Sequence, residues 1–159
     1  MFGSTRLNLN NLTDYHPFAR LDYGVIRPRE PLQPLDIVLI EDNPGDAMLV
    51  RQILVESGMN VKVHLALDGQ QALQMLKEPD FAPSLIILDL NIPKIPGLTV
   101  LERLSGKTPV VIFSSTTGEW EKQRALALGA RDFVSKPSDL GEFTERVCGM
   151  VRKWAMPAK

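Results

Sequence analysis

Two short apolar runs constrain the fold of this chain most: Ser84–Asp89 and Pro109–Phe113. Polar and apolar residues do not alternate within either run. A strand that is apolar on both faces is typical of a parallel sheet covered by helices on both sides. Three further runs, at 36–40, 61–67 and 132–134, have the length and composition of strands. The sequence therefore predicts a five-stranded, largely buried sheet.

A stretch of helical period follows each predicted strand, starting near Asn43, Asp68, Leu98, Glu119 and Ser138. Parallel strands need such crossovers, which are right-handed in nearly all proteins. Five consecutive βα units form a sheet with helices on both faces, and the strand order 2-1-3-4-5 is common at this size. We predict an α/β fold, a flavodoxin-like (βα)5 doubly wound parallel sheet.

The first 34 residues differ from the rest. Pro17, Pro28, Pro31 and Pro34 disfavour helices and remove backbone donors from strands, and the segment has no sustained period. We predict an irregular N-terminal extension over 1–34 and one regular domain over 35–156. Three interpretations of the extension are open: a disordered arm, a segment that packs on a neighbouring subunit of a homodimer, or a start codon assigned too far upstream.

Composition excludes several classes of protein. The 159 residues carry a formal net charge of −1, 44% are hydrophobic, and Cys148 is the single cysteine. A near-neutral chain lacks the basic face that nucleic-acid binding needs, and one cysteine forms neither an intramolecular disulfide nor a cysteine zinc cluster. No apolar run reaches the roughly 18 residues of a membrane span, and no signal-peptide core follows the start. We expect a soluble cytoplasmic protein with no nucleic-acid or membrane partner.

Reactive side chains stand at the carboxyl ends of four predicted strands, where ligand sites of open α/β sheets lie. Glu41 and Asp42 follow the first strand, Asp89 ends the third, Ser114 follows the fourth and Lys136 the fifth. Three carboxylates in one pocket repel one another, and a hard cation with oxygen ligands, such as Mg²⁺, relieves that repulsion. Asp89 is then a candidate nucleophile toward phosphorus, with the cation and Lys136 neutralising charge.

Together, these positions resemble the receiver domain of two-component response regulators, and the resemblance covers the regular part of the chain. The stretches EDNPGDAMLV and LDLNIPK are similar to single-domain regulators that accompany bacterial phytochrome-type histidine kinases. The matching positions, in chain order, are Glu41–Asp42, Asp89, Ser114, Phe133 and Lys136–Pro137.

The resemblance implies a role for each residue of the acidic pocket. Asp89 would accept a phosphoryl group from the phosphohistidine of a histidine kinase or phosphotransfer protein. Asp42 and Asp89 would bind Mg²⁺ together with the backbone carbonyl of Asn91, and Glu41 would support the ion through water.

The resemblance also implies a switch. Ser114 would turn toward the phosphoryl group, Phe133 would swing inward, and Lys136 would exchange a carboxylate partner for the phosphoryl group. The bond between Lys136 and Pro137 is commonly cis in the family, so a cis bond is an expectation here. Helix 4, strand 5 and helix 5 form the usual output face, where we expect a downstream protein to bind.

Some assignments stay open from the sequence alone. Ser115 is a hydroxylated neighbour of Ser114, although the spacing to Lys136 favours Ser114. Phe133 stands where most family members carry Tyr, so a plain core residue is an alternative to a switch residue. Trp120 either joins the core or faces a partner.

A phosphoacceptor switch is the function that the resemblance implies, with no enzymatic activity beyond self-catalysed phosphoryl uptake and autodephosphorylation. Three residues, Pro157–Lys159, follow the last predicted helix, so we expect a single-domain regulator that signals through protein contacts.

Three other functions are weaker alternatives. An aspartyl-phosphate phosphatase of the haloacid-dehalogenase type would need an acid where Asn91 stands. A flavin-binding module would need a phosphate loop where the pair Glu41–Asp42 would repel phosphate. A pseudo-receiver that binds partners without phosphorylation is disfavoured by the intact set of acids.

Overall fold

The structure, a computed structural model, describes residues 32–104 and 106–156. The predicted extension over 1–34 therefore lies outside the described residues except for its last three, and it stays a prediction. Within the described ranges, no helix is long and apolar enough to cross a membrane.

Strands and helices alternate along the described chain, as the two apolar runs and the helical stretches predict. The elements are β1 (Leu35–Ile40), α1 (Pro44–Glu56), β2 (Val61–Ala66), α2 (Gly69–Leu76), β3 (Leu85–Leu88), α3 (Gly97–Arg103), β4 (Val110–Ser114), α4 (Glu119–Ala127), β5 (Asp132–Ser135) and α5 (Leu140–Met150), which continues as a π-helical segment, Val151–Ala155.

The five strands form one parallel sheet in the order β2-β1-β3-β4-β5. This confirms the predicted flavodoxin-like order. The chain leaves β1 toward β2 on one side and returns to β3 on the other, so a crevice opens beyond the carboxyl ends of β1 and β3.

Hydrophobic side chains fill a core on each face of the sheet. Ile37 and Leu39 of β1 point to the face covered by α1, α5 and the π-helical segment. Val38 and Ile40 point to the opposite face, which α2, α3 and α4 cover. Successive residues of β1 thus enter different cores, which explains why the strand carries no polar alternation.

Local signals fix the ends of the helices that flank the crevice. The side chain of Asn43 accepts the backbone N–H of Asp46 at 3.0 Å, and Pro44 occupies the first helical position. Helix α5 begins at Leu140 and is capped by Asp139, close to the predicted start near Ser138.

The bond between Lys136 and Pro137 is trans, because the described residues contain no cis peptide bond. The expectation of a cis bond is therefore wrong for this structure. The trans form is intrinsically favoured before proline by about 0.5–1 kcal/mol. In that form the backbone N–H of Lys136 donates to the carbonyl of Ser114 at 2.9 Å.

Candidate functional site

Polar side chains from distant parts of the chain meet at the carboxyl ends of the strands. Backbone hydrogen bonds extend the sheet one residue beyond its strands and fix these positions. The N–H of Asp89 donates to the carbonyl of Ile40 at 3.0 Å, and the N–H of Glu41 donates to the carbonyl of Ala66 at 3.0 Å. Glu41, Asp89 and Ser114 are buried. Buried acids in a sheet otherwise filled with apolar side chains mark this edge as the site.

Lys136 lies at the centre of the site with its side chain 8% exposed. Its ammonium nitrogen donates to Glu41 Oε2 at 2.5 Å, to Asp89 Oδ2 at 2.7 Å and to Asp46 Oδ2 at 2.9 Å. These contacts use the three N–H donors of one ammonium group. The ammonium of Lys136 therefore links the ends of β1 and β3 and the first turn of α1 to the end of β5.

Asp89 has a second set of donors on its other oxygen. Its Oδ1 accepts the hydroxyl of Ser114 at 2.8 Å and the backbone N–H of Asn91 at 3.0 Å. Ser114 is fully buried, whereas Ser115 is exposed. The structure thus places the hydroxyl of Ser114, and not that of Ser115, on Asp89.

Burial and hydrogen bonds pull the pKa values of the two buried acids apart. Burial raises the pKa of Glu41 to about 7, although the hydrogen bond from Lys136 opposes the change. For Asp89, burial also raises the pKa, but hydrogen bonds from Lys136, Asn91 and Ser114 outweigh it and hold the pKa below its ordinary value. The surrounding carboxylates raise the pKa of Lys136 in spite of its burial. Asp89 is therefore an anion at neutral pH.

The carboxylates of Glu41, Asp42 and Asp89 suit a divalent cation. One oxygen from each lies within 4.8 Å of the others. Asp42 is exposed while Glu41 and Asp89 are buried, so the pocket has one side open to water. Oxygen donors and room for water are what Mg²⁺ and related hard cations require. The three residues predicted from the sequence therefore fit a metal ion.

Asn91, the fourth predicted ligand, lies beside the pocket. Its side-chain Nδ2 donates to Thr116 Oγ1 at 3.0 Å, which links the loop after β3 to the loop after β4. The role of its backbone carbonyl in binding metal stays a prediction.

Phe133 is half-buried in β5, directly beside Ile112 of β4. It packs against the core that α2, α3 and α4 cover. Trp120 is 67% exposed on α4, so it faces outward rather than joining the core.

Asp46 and Thr116 belong to the site but are missing from the sequence prediction. Asp46 lies in the first turn of α1, where an acid favours the helix dipole, and its carboxylate also binds Lys136. The available signal is the position of α1, which starts three residues after Glu41 at the same edge of the sheet. Thr116 lies within 3.4 Å of the hydroxyl of Ser114.

Gly97 explains how α3 comes close to this edge. A Cβ atom at this position would lie 2.6 Å from Leu90 Cα and 2.8 Å from the carbonyl oxygen of Asp89. A side chain at 97 would therefore push the helix away from the backbone that carries Asp89.

Comparison with known proteins agrees with the geometry. The family model of the response regulator receiver domain matches residues 37–148. The chain therefore belongs to the response regulator receiver domain family. The predicted family membership is confirmed.

Solved structures of phytochrome response regulators resemble this chain in fold and sequence. The phosphorylated cyanobacterial phytochrome response regulator RcpA superposes with a TM-score of 0.73 at 29% identity, over 79% of this chain and 97% of RcpA. The Mn²⁺-bound regulator Rcp1 gives 0.72 at 27% identity, over 79% and 98%. The bacteriophytochrome response regulator AtBRR gives 0.59 at 32% identity, over 74% and 94%. The predicted similarity to this group is confirmed.

Curated relatives are longer proteins. The protein-glutamate methylesterase/protein-glutamine glutaminase of Trichodesmium erythraeum (strain IMS101) is 36% identical over 126 residues, which are 76% of this chain and 35% of that protein. The transcriptional regulatory protein TrcR of Mycobacterium tuberculosis (strain ATCC 25618 / H37Rv) is 30% identical over 123 residues, 76% of this chain and 46% of TrcR. The chain thus spans less than half the length of these two relatives.

Proposed function

We propose that this chain is a phosphorylation switch of a two-component system and that Asp89 is its phosphoryl acceptor. The observation that carries the proposal is the environment of Asp89. Its ionised carboxylate lies between the ammonium of Lys136, the hydroxyl of Ser114 and the acids Glu41 and Asp42. A nucleophilic carboxylate, a cation and a hydrogen-bond donor in one pocket are the groups that phosphoryl transfer needs.

Each residue has a distinct task in the proposed reaction. An oxygen of Asp89 forms a bond to phosphorus while the P–N bond of a phosphohistidine breaks, and the imidazole leaves with the electron pair of that bond. The lowered pKa of Asp89 keeps this nucleophile ionised at neutral pH. The ammonium of Lys136 and the hydroxyl of Ser114 are placed to donate to oxygens of the phosphoryl group.

Glu41, Asp42 and Asp89 would hold Mg²⁺, with the backbone carbonyl of Asn91 as a further proposed ligand. When bound, the ion supplies positive charge that neutralises the transferring phosphoryl group. We propose Mg²⁺ as the ion because carboxylate oxygens and water are its usual ligands, and the same ligand set also suits Mn²⁺.

Phosphorylation would replace the single negative charge of the Asp89 carboxylate with a larger phosphoryl group of about −1.5 to −2 charges beside Ser114 and Lys136. Both residues would then turn toward the phosphoryl group, and Phe133 would move into the space near Ser114. The proposed output surface is the face of α4, β5 and α5, on which Trp120 and Leu140 are exposed apolar side chains. Exposed aromatic and aliphatic side chains of this kind suit a protein partner.

The remaining parts of the proposal concern the protein as a whole. We propose a cytoplasmic receiver domain over 35–156 that acts alone, with an irregular extension over 1–34 and a possible role of that extension in a homodimer. The donor would be a histidine kinase or phosphotransfer protein. The likeness in fold and length to the phytochrome regulators RcpA and AtBRR supports the single-domain proposal.

Incubation of the full chain with labelled acetyl phosphate and Mg²⁺ tests the proposal. We expect up to one phosphoryl group per chain, no label without a divalent cation, and no label in Asp89→Asn. The variant Asp80→Asn, which changes an exposed acid in the loop before β3, is the matched control and should label normally. Undiminished label in Asp89→Asn would refute the proposal, and continuous hydrolysis of phosphate esters would favour the phosphatase instead.

A further inference from the structure

Asp46 is an acid of the site that is neither a member of the metal pocket nor the proposed phosphoryl acceptor. It lies on the first turn of α1, and its Oδ2 accepts a hydrogen bond from Lys136 Nζ at 2.9 Å. Its side chain is 35% exposed, far more than those of Glu41 and Asp89. The three carboxylates that come together as a cation site are Glu41, Asp42 and Asp89, so Asp46 stands outside that set.

The ammonium of Lys136 and a divalent cation compete for the same carboxylates. Two of the three partners of Lys136, Glu41 and Asp89, are also the two buried members of the cation site. A cation that binds there repels the ammonium and draws both carboxylates toward itself. Asp46 is the one carboxylate partner of Lys136 that is not a member of the cation site.

We propose that Asp46 is a positioning residue, which keeps the ammonium of Lys136 beside the pocket when a divalent cation takes over Glu41 and Asp89. The inference rests on the proposed function and deepens it, since it explains how one pocket holds both the cation and the lysine. Four carboxylates against one ammonium also leave the pocket negative enough to admit a cation of charge +2.

The local structure holds Asp46 firmly in this position. The backbone N–H of Asp46 donates to the side chain of Asn43 at 3.0 Å, at the capped start of α1. Ala47 and Val50, which follow on the same helix, are buried in the core. The amino end of a helix also favours a carboxylate. The position of Asp46 is therefore fixed by α1, whereas the long side chain of Lys136 can change its rotamer.

Titration of Mg²⁺ by calorimetry tests the inference without any phosphoryl donor. In Asp46→Asn, Lys136 pairs more fully with Glu41 and Asp89 and opposes the cation, so we expect Mg²⁺ to bind about five- to tenfold more weakly, as is typical when one charge-assisted hydrogen bond is lost. Glu56→Gln removes the same charge from the exposed far end of α1 and should change the affinity less than about twofold.

A double-mutant cycle separates an effect through Lys136 from a direct effect on the cation. In the Lys136→Met background, Asp46→Asn should change Mg²⁺ affinity less than about twofold, because the group that Asp46 positions is gone. An equal loss in both backgrounds would mean that Asp46 acts on the cation itself, and no loss in either would mean that the contact has no function. Either result overturns the inference.

A second readout does not depend on metal or on the stability of the Lys136→Met variant. The ¹⁵N signal of the Lys136 ammonium should be visible by NMR in the metal-free chain, because three carboxylates protect its protons from exchange. In Asp46→Asn the protons should exchange faster, and Asp46→Glu should restore the signal. An unchanged exchange rate in Asp46→Asn would contradict the inference.

Phosphoryl uptake from acetyl phosphate distinguishes this inference from the proposed function. If the natural chain takes up label and Asp46→Asn matches it in uptake, metal affinity and ammonium exchange, the inference alone fails. If the natural chain takes up no label while Asp46→Asn still weakens Mg²⁺ binding in a way that requires Lys136, the proposed function fails and the positioning role stands.

Discussion

The two ends of β5 each carry an ion pair, and the two pairs differ in almost every physical respect. Lys136, after the carboxyl end, is 8% exposed and contacts three carboxylates. At the amino end, Asp132 contacts Lys153 at 3.2 Å, and the lysine is 63% exposed. Water and salt screen the second pair, whereas the first lies among buried acids. The same two kinds of side chain therefore form a reactive site at one end and an ordinary surface contact at the other.

Burial, and not the mere presence of opposite charges, therefore gives the carboxyl end of β5 its chemistry. A buried charge that loses its partner is costly, while an exposed one is solvated by water. The pKa of Glu41 rises to about 7 chiefly because its carboxyl is withdrawn from water, and the nearby charge of Asp89 adds to the rise. Substitutions that remove each contact show how much the buried and the exposed ion pairs contribute to stability and phosphoryl uptake.

Removing the buried ammonium of Lys136 should have the largest effect on stability. Lys136→Met leaves the buried carboxylates of Glu41 and Asp89 without their ammonium partner, so we expect the metal-free chain to lose about 3–5 kcal/mol of unfolding free energy at pH 8. Urea unfolding measures the loss. Millimolar Mg²⁺ should reduce it, because the cation replaces the missing positive charge. A loss below about 1 kcal/mol, as for a surface pair, would contradict the account.

The next effect in size is the pH dependence that Glu41 confers. Its pKa is about 7 in the folded chain against an ordinary value of 4.5, so the folded state binds this proton more tightly than the unfolded state does. The stability from this proton is complete below pH 4.5 and is lost as the pH rises through 7, by about 3 kcal/mol in the metal-free chain. The lowered pKa of Asp89 acts in the opposite sense, but only below its ordinary value of 3.8.

Urea unfolding between pH 5 and pH 8 checks this sign. The natural chain should become less stable across that window, and Glu41→Gln should show a much flatter profile. Mg²⁺ affinity should also fall below pH 7 in the natural chain, since the ion must displace the proton on Glu41. Equal slopes for the natural chain and Glu41→Gln would mean that another group titrates.

Loss of one hydroxyl should have a smaller effect. Ser114→Ala removes the donor to Asp89 Oδ1, and we expect about 1 kcal/mol less stability and about five- to tenfold slower phosphoryl uptake. Ser115→Ala, which changes the exposed neighbour, is the matched control and should leave both within twofold. Rates of labelling by acetyl phosphate measure the difference, and an equal effect of the two variants would refute the assignment to Ser114.

The smallest effect belongs to the exposed pair. Lys153→Met breaks the contact with Asp132, and the unfolding free energy should change by less than about 0.5 kcal/mol, with phosphoryl uptake unaffected. The measurement repeats the urea unfolding used for Lys136→Met. A loss as large as that of Lys136→Met would remove the contrast between the two ends of β5.

Much of the fold and of the site at the carboxyl ends of the strands could be predicted from the sequence, because parallel strands place these ends at one edge of the sheet. The apolar runs of β3 and β4 indicate doubly buried strands, and the residues that follow them must then meet. Strand order alone predicts five residues of the site, and the structure brings these residues together: Glu41, Asp42, Asp89, Ser114 and Lys136.

The contacts that were missed depend on details below the level of strand order. Whether Asp46 contacts Lys136 depends on how α1 and the Lys136 side chain lie relative to each other, whereas the apolar period of α1 indicates only which face of the helix is buried. The isomer of the bond before Pro137 depends on an energy difference of about 0.5–1 kcal/mol, so the local sequence does not decide it.

The position of the phosphoryl group decides whether Asp89 is the acceptor. The full chain is treated with acetyl phosphate and Mg²⁺, the acyl phosphate is reduced with borohydride, and the peptides are mapped by mass spectrometry. We expect one modified residue, Asp89, whose side chain is converted to an alcohol. Modification at Asp42, Asp46 or Glu41, or at none of the acids while the chain still carries label, would contradict it.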